Sequence, residues 1–160
     1  MGKNPIIIDR LYKEKGDNFA RVFNDIFKDY FGLKSAFVGD ASQHEVDVII
    51  ETEQGRIVVE GKRIDNKNVS ATQAEEVVGK GSKHNPIANV TVGYPDFSDE
   101  ALRNCQKAKV TLISASVLGD ILIAFWQNRI SRESIIEILK SARYVEDPYQ
   151  ESKELTLIPS

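Results

Sequence analysis

The 160-residue chain contains a single cysteine, Cys105, and this scarcity excludes two kinds of structure. One thiol cannot form a disulfide within the chain, and it cannot supply a cysteine-based zinc site. No apolar run approaches the roughly 20 residues of a membrane-spanning helix, and the N-terminus lacks a signal-peptide pattern. These absences predict a reduced, cytoplasmic setting, with Cys105 as a buried filler of the core.

Excess positive charge is also lacking. The net charge is −3 and the pI is about 5.5, whereas a free-standing, high-affinity DNA-binding protein usually has a basic surface. A small local excess lies between Lys62 and His84, where five lysines and arginines face three acidic residues. Any contact with nucleic acid must therefore be local, or another module must deliver this chain to it.

The length and composition fit one globular core without internal repeats. We expect one domain over residues 1–145 and a polar, proline-bounded tail or connector over residues 146–160. Leu155–Ile158 is the one apolar stretch within that tail.

Hydrophobic periodicity predicts helices that alternate with strands. We expect strands over residues 34–38, 88–94 and 110–114, and helices over residues 16–31, 99–107 and 131–140. A further helix begins at Ser70, with Ser70 and Gln73 in the pattern of a capping box, and frays around Gly79 and Gly81. Pro5–Asp9 is expected to be a short strand or a packed lead-in. This order predicts a layered α/β domain whose first three strands form a meander and whose fourth follows a helical crossover.

Two of the helices carry an unusual number of apolar residues. The first is expected to place its aromatic and aliphatic residues in the core rather than on a base-stacking surface: Phe19, Val22, Phe23, Ile26, Phe27 and Tyr30. The segment 115–128 is apolar nearly all round, so it is either deeply buried or covered by a partner. The final helix should bury Ile135, Ile136, Ile138 and Leu139.

The stretch His44–Lys62 holds the most informative charges. It is predicted to be a β-hairpin with a two-residue turn at Gln54-Gly55, which places Asp47 opposite Lys62 and diagonal to Glu60. In this register one face is a core face that consists of Val46, Val48, Ile50, Ile57 and Val59. The other face brings Asp47, Glu60 and Lys62 together around Ile49 and Val58. Such a cluster is either a salt-bridged strand end or a site that binds an ion.

The acid, the Glu60-Gly61-Lys62 triplet and the helix that starts with Gln73 occur in an element order that resembles the PD-(D/E)-x-K nuclease superfamily. Within that superfamily the chain looks most like the cleavage domains of type IIS restriction endonucleases of the Fok kind. The stretches Thr72–Glu76, Asn104–Leu118 and Ile130–Leu139 add to the similarity, which covers roughly residues 16 to 142. The resemblance implies a three-layer α/β/α fold with a central mixed sheet. It also implies a Mg²⁺-dependent DNA endonuclease that leaves 5′-phosphate and 3′-hydroxyl ends.

The resemblance assigns roles to five residues. Asp47 and Glu60, with the Gly61 carbonyl, would hold Mg²⁺ or a substituting Mn²⁺, since magnesium prefers a few carboxylates and waters. Lys62 would contact the scissile phosphate and the attacking water. Gln73 would lie near the active site, although capping Ser70 explains it equally well.

The charges downstream of the hairpin are candidates for contact with the DNA backbone. They are Arg63, Lys67, Lys80, Lys83 and His84, together with His44 upstream. Each is also explained as an ordinary surface side chain. One feature departs from the pattern: many relatives have a first-helix glutamate where this chain has Ala20, and Asp17 and Asp25 lie off that position.

A cut through both DNA strands needs two active sites, so a homodimer is expected, with the apolar 115–128 helix as the candidate surface. The acidic pI favours a separate DNA-recognition domain or subunit. Two alternatives stay open: a repair or recombination nuclease such as a junction resolvase, and a non-catalytic DNA-binding or dimerisation module on the same fold.

Overall fold

A computed structural model describes residues 6–39 and 44–149. The helices are α1 (Ile6–Lys13), α2 (Asp17–Asp25), α3 (Ala71–Gly81), α4 (Asp99–Ala108), α5 (Ala115–Trp126) and α6 (Arg132–Leu139). The strands are β1 (Lys34–Phe37), β2 (Val48–Thr52), β3 (Gly55–Arg63), β4 (Ala88–Tyr94) and β5 (Val110–Ser114). A π-helical turn (Ile26–Tyr30) extends α2, and a 3₁₀ turn (Ser82–His84) follows α3.

The five strands form one mixed sheet in the order β1-β2-β3-β4-β5. The first three strands are antiparallel neighbours, whereas β3, β4 and β5 run parallel. Parallel neighbours need a crossover connection, which α3 supplies between β3 and β4 and α4 supplies between β4 and β5. The predicted meander, crossover and α/β class are confirmed.

Helices cover both faces of the sheet, so the fold has three layers. One core cluster joins α1, α2, α5 and α6 to one sheet face, and a second joins α3 and α4 to the other. Ile57 and Val59 of β3 belong to the first cluster, while Val58 between them belongs to the second. A strand that is buried on both faces has a nearly continuous run of apolar residues, which explains the sequence of β3.

The predicted hairpin forms, but its predicted turn is wrong. Glu51 lies opposite Arg56 and Thr52 opposite Gly55, so the loop consists of Glu53 and Gln54. The Thr52 hydroxyl closes this loop by accepting the backbone N–H groups of Gln54 and Gly55, at 3.1 and 3.2 Å, and by donating to the Gly55 carbonyl at 2.7 Å. The register therefore differs from the predicted one by two residues. Because side chains alternate with a period of two, a two-residue shift leaves the two faces of the hairpin unchanged.

Val46 is the exception to the predicted core face. It is fully buried, but in the second cluster with Val58 rather than in the first with Val48. The strand begins only at Val48, so strand alternation does not extend back to Val46. The close approach of α3 fixes this packing, since a Cβ on Gly81 would come within 2.6 Å of Val58 and 3.5 Å of Val46.

The N-terminal stretch was expected to be a short strand or a packed lead-in, and from Ile6 onward it is a packed helix. From Ile6 onward α1 buries Ile7, Ile8 and Leu11, a spacing that suits one face of a helix. Pro5 lies outside the described residues.

The predicted aromatic helix is confirmed, with one correction. Phe19, Phe23, Phe27 and Phe31 form a fully buried ladder of ring contacts. Tyr30, which its spacing places in the core, is 38% exposed. The π-helical turn adds a residue to the last turn, so the buried face continues at Phe31 instead.

The remaining helices agree largely with expectation. The capping box of Ser70 and Gln73 is present, and α3 continues through Gly79 to Gly81 rather than fraying there. Most of α5 is buried by the protein's own core, which accounts for its apolar sequence, although Trp126 at its end is 55% exposed. Ser131 caps α6, where Ile136 is only partly buried. Cys105 is buried, as predicted.

The chain continues past α6 along the free edge of β5. Leu112 donates its N–H to the Arg143 carbonyl at 2.9 Å and accepts the N–H of Val145 at 2.9 Å. Of the predicted tail, Tyr149 packs against the first core cluster. Residues 150–160, including Leu155–Ile158, lie outside the described residues. No helix within the described ranges is long and apolar enough to cross a membrane.

Candidate active site

Asp47, Glu60 and Lys62 lie together where β2 begins and β3 approaches its end. Asp47 precedes β2, and its Oδ2 accepts the backbone N–H of Gly61 at 2.8 Å, between Glu60 and Lys62. Glu60 and Lys62 are two residues apart on β3, so both side chains leave the same face of the sheet. The structure therefore brings the three predicted residues together on the face that α3 covers, although Asp47 contacts Gly61 rather than lying opposite Lys62.

Glu60 is the most deeply buried of these charges, at 2% exposure. Its Oε2 lies 2.6 Å from the ammonium of Lys80 and 3.8 Å from that of Lys62. Its Oε1 is buried and has no hydrogen-bond partner among the described residues. A buried carboxylate oxygen without a donor is costly, so this atom marks a place where a further ligand would be stabilised.

The carboxyl of Asp47 has an unusually high proton affinity. Burial and the negative charge of Glu60 raise the pKa of Asp47 from its ordinary value of 3.8 to about 7, against the opposing effects of the Gly61 N–H and Lys80. Two carboxylates this close disfavour the doubly ionised state unless a cation lies between or beside them.

Two residues of α3 complete the site: Glu76, for which no role was predicted, and Lys80, which was predicted to contact the DNA backbone. Lys62 donates to Oε2 of Glu76, and Lys80 donates to Glu60. Burial acts to lower the pKa of Lys80, but the hydrogen bond and charge of Glu60 outweigh it, and the pKa is raised. Glu76 and Lys80 are four residues apart and so share one helix face. That spacing was the available signal, because α3 was expected beside the strand end.

The back of the site is closed by α2. A Cβ on Gly61 would lie 2.7 Å from the ring of Phe23 and 3.1 Å from that of Phe19. Ala20, at the position where the family resemblance implies a glutamate, is buried in the same cluster, and Asp17 is exposed. Helix α2 therefore contributes packing behind β3, and the acids of the site come from the residue before β2, from β3 and from α3.

Gln73 and Arg63 have structural contacts. Gln73 Oε1 accepts the N–H of Ser70 at 3.0 Å, which is the capping role. The Arg63 guanidinium donates to the backbone carbonyls of Tyr12 at 2.6 Å and Glu14 at 3.1 Å and lies over the Tyr94 ring. Arg63 thus ties the α1–α2 connection to the end of β3.

The other predicted contact residues lie around these elements. Lys67 is exposed on the loop between β3 and α3. Lys83 and His84 both pair with Glu45, at 3.4 and 2.7 Å, and Lys83 also approaches the backbone carbonyl of His44. Burial acts to raise the pKa of Glu45, but these partners outweigh it and the pKa is lowered.

The donor set suits a hard divalent cation held by few protein ligands. Within residues 6–39 and 44–149, no group of three or more His, Cys, Asp or Glu residues has metal-binding geometry. Asp47 and Glu60 offer two carboxylates, one with an unpartnered oxygen and the other with a raised pKa. Magnesium typically takes one or two carboxylates and completes its shell with water and phosphate oxygens, so these residues fit it.

Comparison with known proteins found similarity at the level of structure. No protein-family model matches the chain, and no curated protein matches it. Restriction endonuclease FokI superposes with a TM-score of 0.63 at 11% identity, over 88% of this chain and 30% of FokI. FokI bound to DNA gives a TM-score of 0.56 over the same shares. MspJI restriction endonuclease in complex with a 27-mer oligonucleotide gives 0.53 at 15% identity, over 93% of this chain and 38% of MspJI. The chain thus spans about a third of the length of these enzymes.

Proposed function

We propose that this chain, whose fold is restriction-endonuclease-like, is the cleavage domain of a Mg²⁺-dependent DNA endonuclease. The observation that carries the proposal is the convergence of Asp47, Glu60 and Lys62, with a buried Glu60 Oε1 that has no hydrogen-bond partner among the described residues. A salt-bridged strand end is expected to pair both oxygens of a buried carboxylate. Two acids and a lysine on one face are the groups that metal-assisted phosphodiester hydrolysis requires.

Asp47, Glu60 and the Gly61 carbonyl would hold the cation, with Mn²⁺ as a substitute for Mg²⁺. When bound, such a cation neutralises charge on the phosphate and activates a water. Lys62 would contact the scissile phosphate and orient the attacking water, and Glu76 holds its ammonium beside Glu60 beforehand. In-line attack on phosphorus would leave 5′-phosphate and 3′-hydroxyl ends. Gln73 Oε1 is used in the cap, so any role of Gln73 in cleavage falls to its amide nitrogen.

DNA is the proposed substrate because FokI and MspJI are both described with DNA or an oligonucleotide bound. The net charge of −3 argues that a further domain or subunit supplies much of the affinity. Exposed Lys67 and Lys83 are the proposed contacts with the DNA backbone. We also propose a homodimer for double-strand cleavage. Since most of α5 is buried, the part of α5 that a partner could contact centres on Trp126. The centroids of the Trp126 and Tyr30 rings are 6.3 Å apart.

A non-catalytic DNA-binding module on the same fold is the second candidate. The absence of a first-helix acid at Ala20 and the ion pair between Lys62 and Glu76 favour it.

Plasmid cleavage separates the two functions. Supercoiled plasmid is incubated at high protein concentration with Mg²⁺, Mn²⁺ or EDTA, using the wild type, Lys62→Ala and Glu60→Gln. Lys107→Ala, an exposed change on α4, is the matched control for lost charge. We expect metal-dependent nicking and linearisation that falls by roughly 100-fold or more in the two site variants, because each removes a group that stabilises the transition state.

The products identify the chemistry. Linear product that DNA ligase rejoins directly indicates 5′-phosphate and 3′-hydroxyl ends, and a four-way junction tested in parallel would reveal a resolvase. Binding without cleavage at any metal concentration would instead support the non-catalytic module. Cleavage that survives Lys62→Ala would show that the active site lies elsewhere.

A further inference from the structure

We infer that the Lys80 ammonium neutralises Glu60 when no divalent cation is bound, and that it must be displaced when the cation binds. The inference rests on the proposed function and concerns how the same site is loaded. The Lys80 ammonium lies 2.6 Å from Glu60 Oε2, closer than the ammonium of Lys62 at 3.8 Å. Glu60 Oε1, in contrast, has no hydrogen-bond partner within residues 6–39 and 44–149. The carboxylate thus has one oxygen neutralised by an internal cation and one open to an external cation.

The two lysines of the site are held differently. Lys62 has a second acidic partner in Glu76, so it can stay in place when Glu60 takes another ligand. Among the described residues Lys80 forms its ion pair with Glu60, whereas the charges of Glu76 and Asp47 act on it from farther away. A divalent cation on Glu60 would face the Lys80 ammonium across a few ångströms, where repulsion between like charges is strong.

The Lys80 side chain is free to change its conformation. It lies in the last turn of α3, and 29% of its side chain is exposed, whereas only 3% of the Glu60 side chain is exposed. A lysine ammonium on a flexible four-carbon stem can turn toward water without a backbone change. Glu60 cannot leave its buried strand position. Cation binding at Glu60 therefore removes Lys80 rather than rearranging the carboxylate.

This arrangement gives the protein two related properties. Without metal, Lys80 neutralises a buried carboxylate and so stabilises the folded site. With metal, the broken Lys80–Glu60 pair weakens the apparent affinity for the cation. Lys80 is thus a positioning residue that sets the metal concentration at which the site loads.

Metal binding in the absence of DNA tests the inference. Isothermal titration of the whole chain with Mn²⁺ at pH 8 compares the wild type with Lys80→Met, Lys80→Gln and Lys80→Arg. Lys107→Met is the control for net charge. We expect Lys80→Met to bind Mn²⁺ roughly tenfold more tightly, since one charge-assisted hydrogen bond no longer competes. Lys80→Arg and Lys107→Met should both bind Mn²⁺ with the affinity of the wild type.

Thermal unfolding without metal provides the second readout. Lys80→Met should lower the midpoint, because Glu60 is left buried without its ammonium, and added Mn²⁺ should raise its midpoint by more than that of the wild type. If Lys80→Met does not fold, Lys80→Gln decides the matter, because its amide still donates to Glu60 without a charge.

The outcomes distinguish this inference from the proposed function. Unchanged or weaker Mn²⁺ affinity in the folded Lys80→Met and Lys80→Gln variants, with a wild type that binds Mn²⁺, would overturn the displacement of Lys80 alone. A wild type that neither binds Mn²⁺ nor cleaves plasmid would overturn the proposed function, and the inference with it.

Discussion

Substitution of Asp47 by asparagine is expected to stabilise the metal-free protein at the cost of its activity. Asp47 is largely buried beside Glu60, and both effects raise the pKa of its carboxyl to about 7. The ionised carboxylate is therefore less favourable in the folded state than in the unfolded chain. Asparagine removes the charge and keeps an oxygen that can accept the Gly61 N–H, which the aspartate accepts at 2.8 Å.

The size of the effect follows from the pKa. A rise from 3.8 to about 7 corresponds to roughly 4 kcal/mol at alkaline pH, because each pKa unit is worth about 1.4 kcal/mol. Relaxation of the side chain toward solvent reduces this figure, so we expect a gain of about 2 kcal/mol for Asp47→Asn at pH 8.

The same pKa difference determines whether stability rises or falls with pH. The folded state binds the Asp47 proton more tightly than the unfolded chain, so the wild type loses stability as pH rises from about 4 to about 7. Above that range the loss is complete and constant. The advantage of Asp47→Asn should accordingly be largest at pH 8, about half as large at pH 5 and absent near pH 3.

Urea unfolding in EDTA at pH 8 and pH 5 measures this difference, since titrating groups that do not interact with Asp47 act equally on both proteins. Added Mg²⁺ or Mn²⁺ should raise the stability of the wild type and have little effect on the variant. An Asp47→Asn protein that is no more stable than the wild type at pH 8 would refute the claim that the two carboxylates repel each other in the folded state.

Two further predictions concern packing and the basic residues. Gly61→Ala should lower the free energy of unfolding by about 1–3 kcal/mol in urea, because its Cβ would lie 2.7 Å from the Phe23 ring. Gly79→Ala is the matched control: a Cβ there meets no atom of the described residues within 4 Å, so this change should stabilise α3 by about 0.5–1 kcal/mol. Arg63→Met should cost about 2 kcal/mol of stability, because two backbone carbonyls lose a charged donor, whereas Lys67→Met should stay within about 0.5 kcal/mol and weaken DNA binding in a filter or anisotropy assay. Equal costs for the two glycines, or a stable Arg63→Met protein that binds DNA poorly, would contradict these assignments.

The sequence was sufficient to predict those helices and strands in which the spacing of apolar residues matches the buried face. From α2 onward the order of helices and strands followed from periodicity, and the meander and crossover followed from that order. The hairpin register was missed because it depends on the Thr52 hydroxyl, a local contact that competes with the expected Gln54-Gly55 turn. The grouping of Asp47 with Glu60 was still predicted, because the error was an even number of residues.

Contacts between distant elements could not be predicted in this way. The pairing of Lys80 with Glu60 depends on how α3 lies across β3, which neither element specifies alone. Arg63 was assigned to DNA because its neighbours are basic, yet its partners are the carbonyls of Tyr12 and Glu14, about fifty positions earlier. The burial of Tyr30 was predicted wrongly for a different reason. A π-helical turn rotates the residues that follow it around the helix, and the spacing of apolar residues does not reveal such a turn.

The segment after α6 sets where the folded unit can safely be cut. Thr111 of β5 donates its hydroxyl to the Leu139 carbonyl at 2.8 Å and accepts the N–H of Ala142 at 2.9 Å, and Leu112 exchanges backbone hydrogen bonds with the stretch around Tyr144. These contacts cover the outer edge of a fully buried strand. A chain truncated or fused directly after Leu139 would expose unpaired backbone groups on an apolar edge, the arrangement that promotes intermolecular strand pairing. A linker to any DNA-recognition module should therefore begin beyond Tyr149.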